Sequence, residues 1–144
     1  MTIVTARPPD INLVKLLEPI TEKVIETLLP SPQFSEEERK EIAKFFACTF
    51  NPQYYSSQYS NLRKIAEGMI ISSEQLSEEE RKFLENFRNI IKTDYIAGRE
   101  YVALREDIVK ALVRATGTIY YLENISSFVY GLLGLVDKAR ESYT

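Results

Sequence analysis

The sequence contains no histidine and only one cysteine, Cys48, in 144 residues. Without histidine the chain lacks the commonest general base and the commonest metal ligand in proteins. A single cysteine excludes an internal disulfide framework and a zinc site built from cysteines. The sequence also shows no glycine-rich phosphate loop and no pair of carboxylates that its spacing brings together. We therefore expect a non-catalytic protein that uses no cofactor and no metal.

Glycine, proline and long apolar runs are also scarce. The chain has 5 Gly and 6 Pro, too few for a disordered chain or for an all-β fold with many tight turns. The longest apolar run, at 128–136, is far shorter than the roughly 20 residues that span a bilayer. The first ten residues, MTIVTARPPD, contain no apolar segment of the signal-peptide type. These features predict a cytoplasmic protein without a membrane partner.

What the sequence does contain is typical of one helical domain over residues 1–144. Apolar residues make up 44% and charged residues 27%, the balance of a globular protein with a core. Ser-Glu-Glu-Glu occurs at 35–38 and at 77–80 and matches the capping box that begins helices. Apolar residues follow both segments at helical spacing, whereas no alternating strand pattern is evident.

This pattern predicts an all-α, single-domain bundle of five to six helices. The predicted helices cover residues 10–29, 35–49, 57–71, 77–115 and 118–140. Pro19 should kink or split the first helix, because proline removes a helical hydrogen bond. The fourth segment is unusually long, and Gly98 is its expected point of weakness.

Four cations form a basic stripe on the predicted helix at 77–115, although the net charge of the chain is −3. They are Arg81, Arg88, Lys92 and Arg99. Their spacings of seven, four and seven place them on one face of a helix, with Tyr95 beside them. Cations that contact phosphates, together with a ring that stacks a base, suit single-stranded nucleic acid. A solvated helix face, partly neutralised by Glu85, explains the same residues, and both interpretations stay open.

Arg63 and Lys64 lie side by side near the start of the predicted helix at 57–71. The helix dipole disfavours positive charge at that end. An anionic partner such as a phosphate would explain the pair, and a solvated edge is the simpler alternative. These two residues therefore join the candidate nucleic-acid contacts.

Two segments, SSQYSNLRKI at 56–65 and FRNIIKTDYIAGRE at 87–100, are followed by a helical stretch and an aromatic helix. In this order they resemble the small (Csm) subunit of type III-A CRISPR effector complexes, over residues 56–143. The resemblance implies a helical bundle without an active site, which packs beside the other subunits and flanks a guide–target RNA duplex. The resemblance implies that five residues contact RNA: Arg63, Lys64, Lys92, Tyr95 and Arg99. Arg88 joins them because it lies on the same predicted helical stripe.

Other functions remain open at this point. A helical protein–protein adaptor or a virus structural protein would use the tyrosine-rich connector, with Tyr54, Tyr55 and Tyr59, and the apolar last helix. Such a protein would self-associate without regard to RNA. The small subunit of another CRISPR effector type, or of a helical replication factor, would share the same features. An enzyme that works through carboxylates or tyrosine is the remaining alternative.

Overall fold

The computed structural model describes residues 11–52 and 58–141. Tyr54 and Tyr55 of the predicted connector lie outside these residues. The described residues form six α-helices and three short strands. The helices are α1 (Ile11–Leu28), α2 (Glu36–Phe50), α3 (Ser60–Ala66), α4 (Glu78–Leu84), α5 (Glu106–Thr116) and α6 (Tyr121–Glu141). The strands are β1 (Ile71–Ser72), β2 (Ile91–Ile96) and β3 (Arg99–Leu104).

The all-α prediction is wrong, because residues 91–104 form a β-hairpin inside the predicted helix at 77–115. The sheet has the order β1-β3-β2, and both neighbouring pairs are antiparallel. Helix α4 ends at Leu84 and continues only as a 3₁₀ turn over Glu85–Phe87. Strand β2 is exposed along almost its whole length, so its sequence has no alternation of apolar and polar residues to reveal it.

Gly98 is the turn of this hairpin rather than a weak point in a helix. The register places Ile96 opposite Arg99, which leaves Ala97 and Gly98 as a two-residue turn. Their φ angles are 53° and 80°, and the type I′ turn of tight hairpins requires positive φ at both positions. Glycine adopts such angles at no steric cost.

The two predicted capping boxes are confirmed. Ser35 accepts a hydrogen bond from the backbone of Glu38, whose side chain accepts one from the Ser35 backbone. Ser77 and Glu80 make the same two contacts at the start of α4. Pro19 does not split α1, which runs past it without interruption.

Glu80 also holds a second helix, since its carboxylate lies at the start of α3. The Oε2 atom accepts the backbone N–H groups of Asn61 and Leu62 at 2.8 and 3.2 Å, and Oε1 accepts the Ser77 N–H at 2.8 Å. Glu80 is only 1% exposed. A buried carboxylate is stable when its oxygens are hydrogen-bonded in this way, and here the bonds fix α3 against α4.

The core contains side chains from every helix and from β1 and β3. The buried rings of Phe45 and Phe87 cluster with the partly buried ring of Phe83, with centroids 4.9–6.0 Å apart. The buried Tyr121 of α6 donates its hydroxyl to the Ala66 carbonyl at 2.8 Å. Helix α6 therefore closes the core over the end of α3.

Candidate nucleic-acid interface

The hairpin carries three of the predicted contacts, Lys92, Tyr95 and Arg99. Residues that face each other across an antiparallel pair point to the same side of the sheet. Tyr95 lies opposite Glu100, whereas Lys92 lies opposite Ala103 and therefore points to the other face. Arg99 shares the Lys92 face. The prediction of a single helical stripe is wrong, because a strand places alternate residues on opposite faces.

Tyr95 is the most exposed aromatic side chain of the hairpin, with 72% of its surface accessible. Its hydroxyl donates to Glu100 Oε2 at 2.7 Å, and the Ser73 hydroxyl donates to Glu100 Oε1 at the same distance. The hydrogen bonds from Ser73 and then from Tyr95 lower the pKa of Glu100. The bond to Glu100 in turn raises the pKa of the Tyr95 hydroxyl. Glu100 therefore anchors the edge of an otherwise accessible ring.

Lys92 and Arg99 provide positive charge on the opposite face. Lys92 Nζ lies 3.3 Å from Asp94 Oδ2, and both side chains are about half exposed, at 49% and 53%. An exposed pair of this kind contributes little net energy, so the ammonium group can exchange Asp94 for a phosphate at small cost. Arg99 is exposed beside the turn.

Arg88 lies before β2 and on a different surface from Lys92 and Arg99. It lines a groove of about 550 Å³ on the Tyr95 face, together with Arg81. Arg81 Nη2 donates to the Ser73 carbonyl at 2.7 Å. Three carboxylates line the same groove, from Glu74, Glu85 and Glu100. Three acidic groups against two basic ones make it a poor site for a phosphate.

Arg63 and Lys64 lie on α3 and not on the hairpin. The helix is only seven residues long, and both cations fall in its last turn. The idea that they occupy an unfavourable dipole position is therefore wrong, since the C-terminal turn of a helix favours positive charge. Arg63 Nε also donates to Glu67 Oε1 at 3.0 Å, with both side chains partly buried. Local electrostatics explain this pair without an anionic partner.

Arg105, another cation of this region, ties three parts of the chain together. Its guanidinium makes a bidentate contact with Asp107 at 2.6 and 3.1 Å and also donates to Glu38 and to the Asn89 carbonyl. The bond from Arg105 is the largest cause that lowers the pKa of Asp107. The pKa of Glu38 is lowered first by its bond with the Ser35 backbone and then by Arg105. Arg105 therefore stabilises the fold.

The hairpin residues that sequence reasoning missed are Asp94 and Glu100. Asp94 pairs with Lys92 on one face of the hairpin, and Glu100 accepts the Tyr95 hydroxyl on the other. The short spacing of Lys92 and Asp94 is ambiguous on a helix but places both side chains on one face of a strand. Only the assignment of residues 91–96 as a strand could have revealed this arrangement.

Within residues 11–52 and 58–141, no cluster of three or more metal-binding side chains occurs. None of the helices described there has the length and apolar character needed to cross a bilayer. Comparison of the chain with protein-family models, curated proteins and solved structures gives no match. Its function must therefore be argued from the geometry of its own residues.

Proposed function

We propose that the chain is a non-catalytic, RNA-binding subunit of a cytoplasmic ribonucleoprotein complex, and that the β2–β3 hairpin contacts single-stranded RNA. The sequence resembles the small subunit of one such assembly, the type III-A CRISPR effector complex. The observation that carries the proposal is one exposed hairpin that presents Tyr95 together with Lys92 and Arg99. Rings stack on bases and cations contact phosphates in sequence-independent RNA binding.

In this proposal the three side chains have different roles. Tyr95 is held at its hydroxyl by Glu100, which leaves the ring accessible to a base. Lys92 and Arg99 lie on the other face of the same two β-strands. An RNA strand that passes around the Ala97–Gly98 turn would bring its phosphates to that face. Because the contacts are few, an isolated copy binds weakly, and repeated copies in an assembly strengthen the binding.

The remaining candidates contribute less to this interface. Arg63 is engaged with Glu67, and Arg88 shares its groove with three carboxylates. We expect Arg63→Ala/Lys64→Ala and Arg88→Ala to reduce RNA affinity less than changes on the hairpin.

The test is fluorescence anisotropy of labelled single-stranded RNA over a salt series. We expect Lys92→Ala/Arg99→Ala to weaken binding and to reduce the slope of log K against log salt by about 1.4, or about 0.7 for each phosphate that the variant no longer neutralises. Tyr95→Ala should weaken binding about tenfold with little change in slope, and Tyr95→Phe should retain most of the affinity. The matched control is Lys40→Ala/Lys110→Ala, which removes two exposed lysines that pair with glutamates on α2 and α5.

Equal losses in the control and in Lys92→Ala/Arg99→Ala would contradict a specific hairpin interface. Absence of binding at low salt, both for the isolated chain and for its native complex, would overturn the RNA proposal. The protein–protein adaptor is the second candidate, and the exposed edge of β2 is the observation that favours it.

A further inference from the structure

Strand β2 forms a long exposed edge of the sheet. It is the last strand in the order β1-β3-β2, and no other described strand pairs with its outer side. Tyr95 and Ile96 are 72% and 56% exposed. An edge of this length is a template for pairing with another chain. The opposite edge, β1, has only two residues.

The backbone groups of three β2 residues face outward. The Arg105 N–H donates to the Ile90 carbonyl at 2.9 Å, and this contact continues the register of β2 with β3. Hydrogen-bonded pairs alternate with non-bonded pairs along an antiparallel ladder. Even-numbered residues of β2 therefore bond to β3. The N–H and C=O groups of Ile91, Thr93 and Tyr95 point away from β3 and can accept a new strand.

We propose that this edge binds the same edge of a second copy of the chain, antiparallel and centred on Thr93. In that register each Lys92 lies opposite Asp94 of the second copy, so two pairs of opposite charges form. Thr93 lies opposite Thr93, and each Ile91 lies opposite Tyr95. Opposite-charge, Thr–Thr and aromatic–β-branched pairs are all favourable across antiparallel strands.

Charge selects this register over its neighbours. A new strand must place its own outward-facing groups against those of β2, so the centre must fall on a residue and not between two. Centring on Lys92 sets lysine against lysine, and centring on Asp94 sets aspartate against aspartate. Like charges directly opposite each other are destabilising. Lys92 and Asp94 therefore disfavour general aggregation of the edge and allow self-pairing in one register.

The resulting contact is isologous, as a two-fold dimer requires. It joins two three-stranded sheets into one sheet of six strands, in the order β1-β3-β2-β2-β3-β1. This dimer does not depend on the RNA-binding proposal. It goes beyond that proposal because it places two hairpins side by side.

Sedimentation equilibrium of the full chain without RNA tests the dimer. We expect the average mass to rise with concentration from 16.6 kDa toward twice that value. Thr93→Pro removes one outward N–H but no hydrogen bond to β3, and proline is tolerated on edge strands. This variant should remain monomeric at concentrations where the unchanged protein dimerises. Circular dichroism checks that it stays folded.

A charge exchange tests the register. Lys92→Asp gives a strand with two aspartates, and Asp94→Lys gives a strand with two lysines. Each variant alone should dimerise at least about tenfold more weakly, because two attractive pairs become repulsive. An equimolar mixture should recover dimers, because every facing pair is again opposite in charge.

A wild-type chain that stays monomeric at all concentrations, or a Thr93→Pro variant that still dimerises, would overturn the proposal. Failure of the mixture to recover dimers would overturn the register. RNA binding by Thr93→Pro, which keeps all the hairpin cations and Tyr95, separates the two proposals. A monomer that binds RNA supports the proposed function alone, and a wild-type dimer that binds no RNA supports the edge contact alone.

Discussion

The hexapeptide Ser-Glu-Glu-Glu-Arg-Lys occurs twice, at 35–40 and 77–82. Each copy begins a helix with the same capping box. The surroundings of the capping glutamates differ, because Glu38 is 25% exposed and contacts Arg105, whereas Glu80 is buried and also holds the start of α3. The same local sequence therefore gives the same local structure. Tertiary packing decides whether the glutamate caps one helix or joins two.

The two copies should differ most in the stability that is lost when the capping glutamate is removed, by Glu80→Ala in the second copy and by Glu38→Ala in the first. Loss of Glu80 leaves the N–H groups of Asn61, Leu62 and Ser77 without their acceptor in a largely buried region. We expect the free energy of unfolding to fall by about 3 kcal/mol, against about 1 kcal/mol for Glu38→Ala at the partly exposed cap. Urea denaturation of both variants measures the difference.

Glu80→Gln is the conservative control, since it keeps one acceptor oxygen and a similar shape. It should be less destabilising than Glu80→Ala and more destabilising than Glu38→Gln. Equal losses for the two alanine variants would show that Glu80 does not hold α3.

Arg105→Met tests the tertiary contact of the first copy and should have the next largest effect. The Arg105 side chain is 29% exposed, so screening by solvent limits the expected loss of stability to about 1–2 kcal/mol at pH 7. Urea denaturation at pH 7 and at pH 3 measures this loss.

The loss in Arg105→Met should depend on pH, because Arg105 lowers the pKa values of Glu38 and Asp107 from ordinary values of 4.5 and 3.8. A lowered carboxyl pKa in the folded state stabilises the protein above the unfolded value, and that stability disappears as the pH falls through the folded value. The difference between Arg105→Met and the unchanged protein should therefore shrink at pH 3. A difference of equal size at both pH values would contradict this role for the two carboxylates.

The two copies also show what could be predicted from the sequence. The capping boxes were predictable because all their contacts lie within four residues. The hairpin that follows the second copy was not, because β2 is exposed and because β3 ends in a continuous apolar run, Tyr101–Leu104, without the alternation of apolar and polar residues that marks a half-buried strand. Its turn, Ala-Gly, is also a weaker signal than Asn-Gly or Asp-Gly. A helical spacing of cations consequently placed Lys92 and Arg99 in line with Arg88, although the backbone puts them on different surfaces.

The smallest expected difference is in the stability lost when each capping serine is replaced by alanine. Both hydroxyls accept the N–H of the glutamate three residues later at 3.1 Å, so Ser35→Ala and Ser77→Ala should each lose about 1 kcal/mol. Ser77 Oγ also donates to the Gln58 carbonyl at 2.6 Å, which connects the cap to the segment before α3. Ser77→Ala should therefore lose about 0.5 kcal/mol more than Ser35→Ala. Thermal unfolding of the two variants side by side resolves a difference of this size.

In a Glu80→Ala background, the extra loss of stability in Ser77→Ala should become smaller, because the effects of changes within one hydrogen-bond network are not additive. An extra loss that persists unchanged there would mean that Ser77 and Glu80 hold α3 independently.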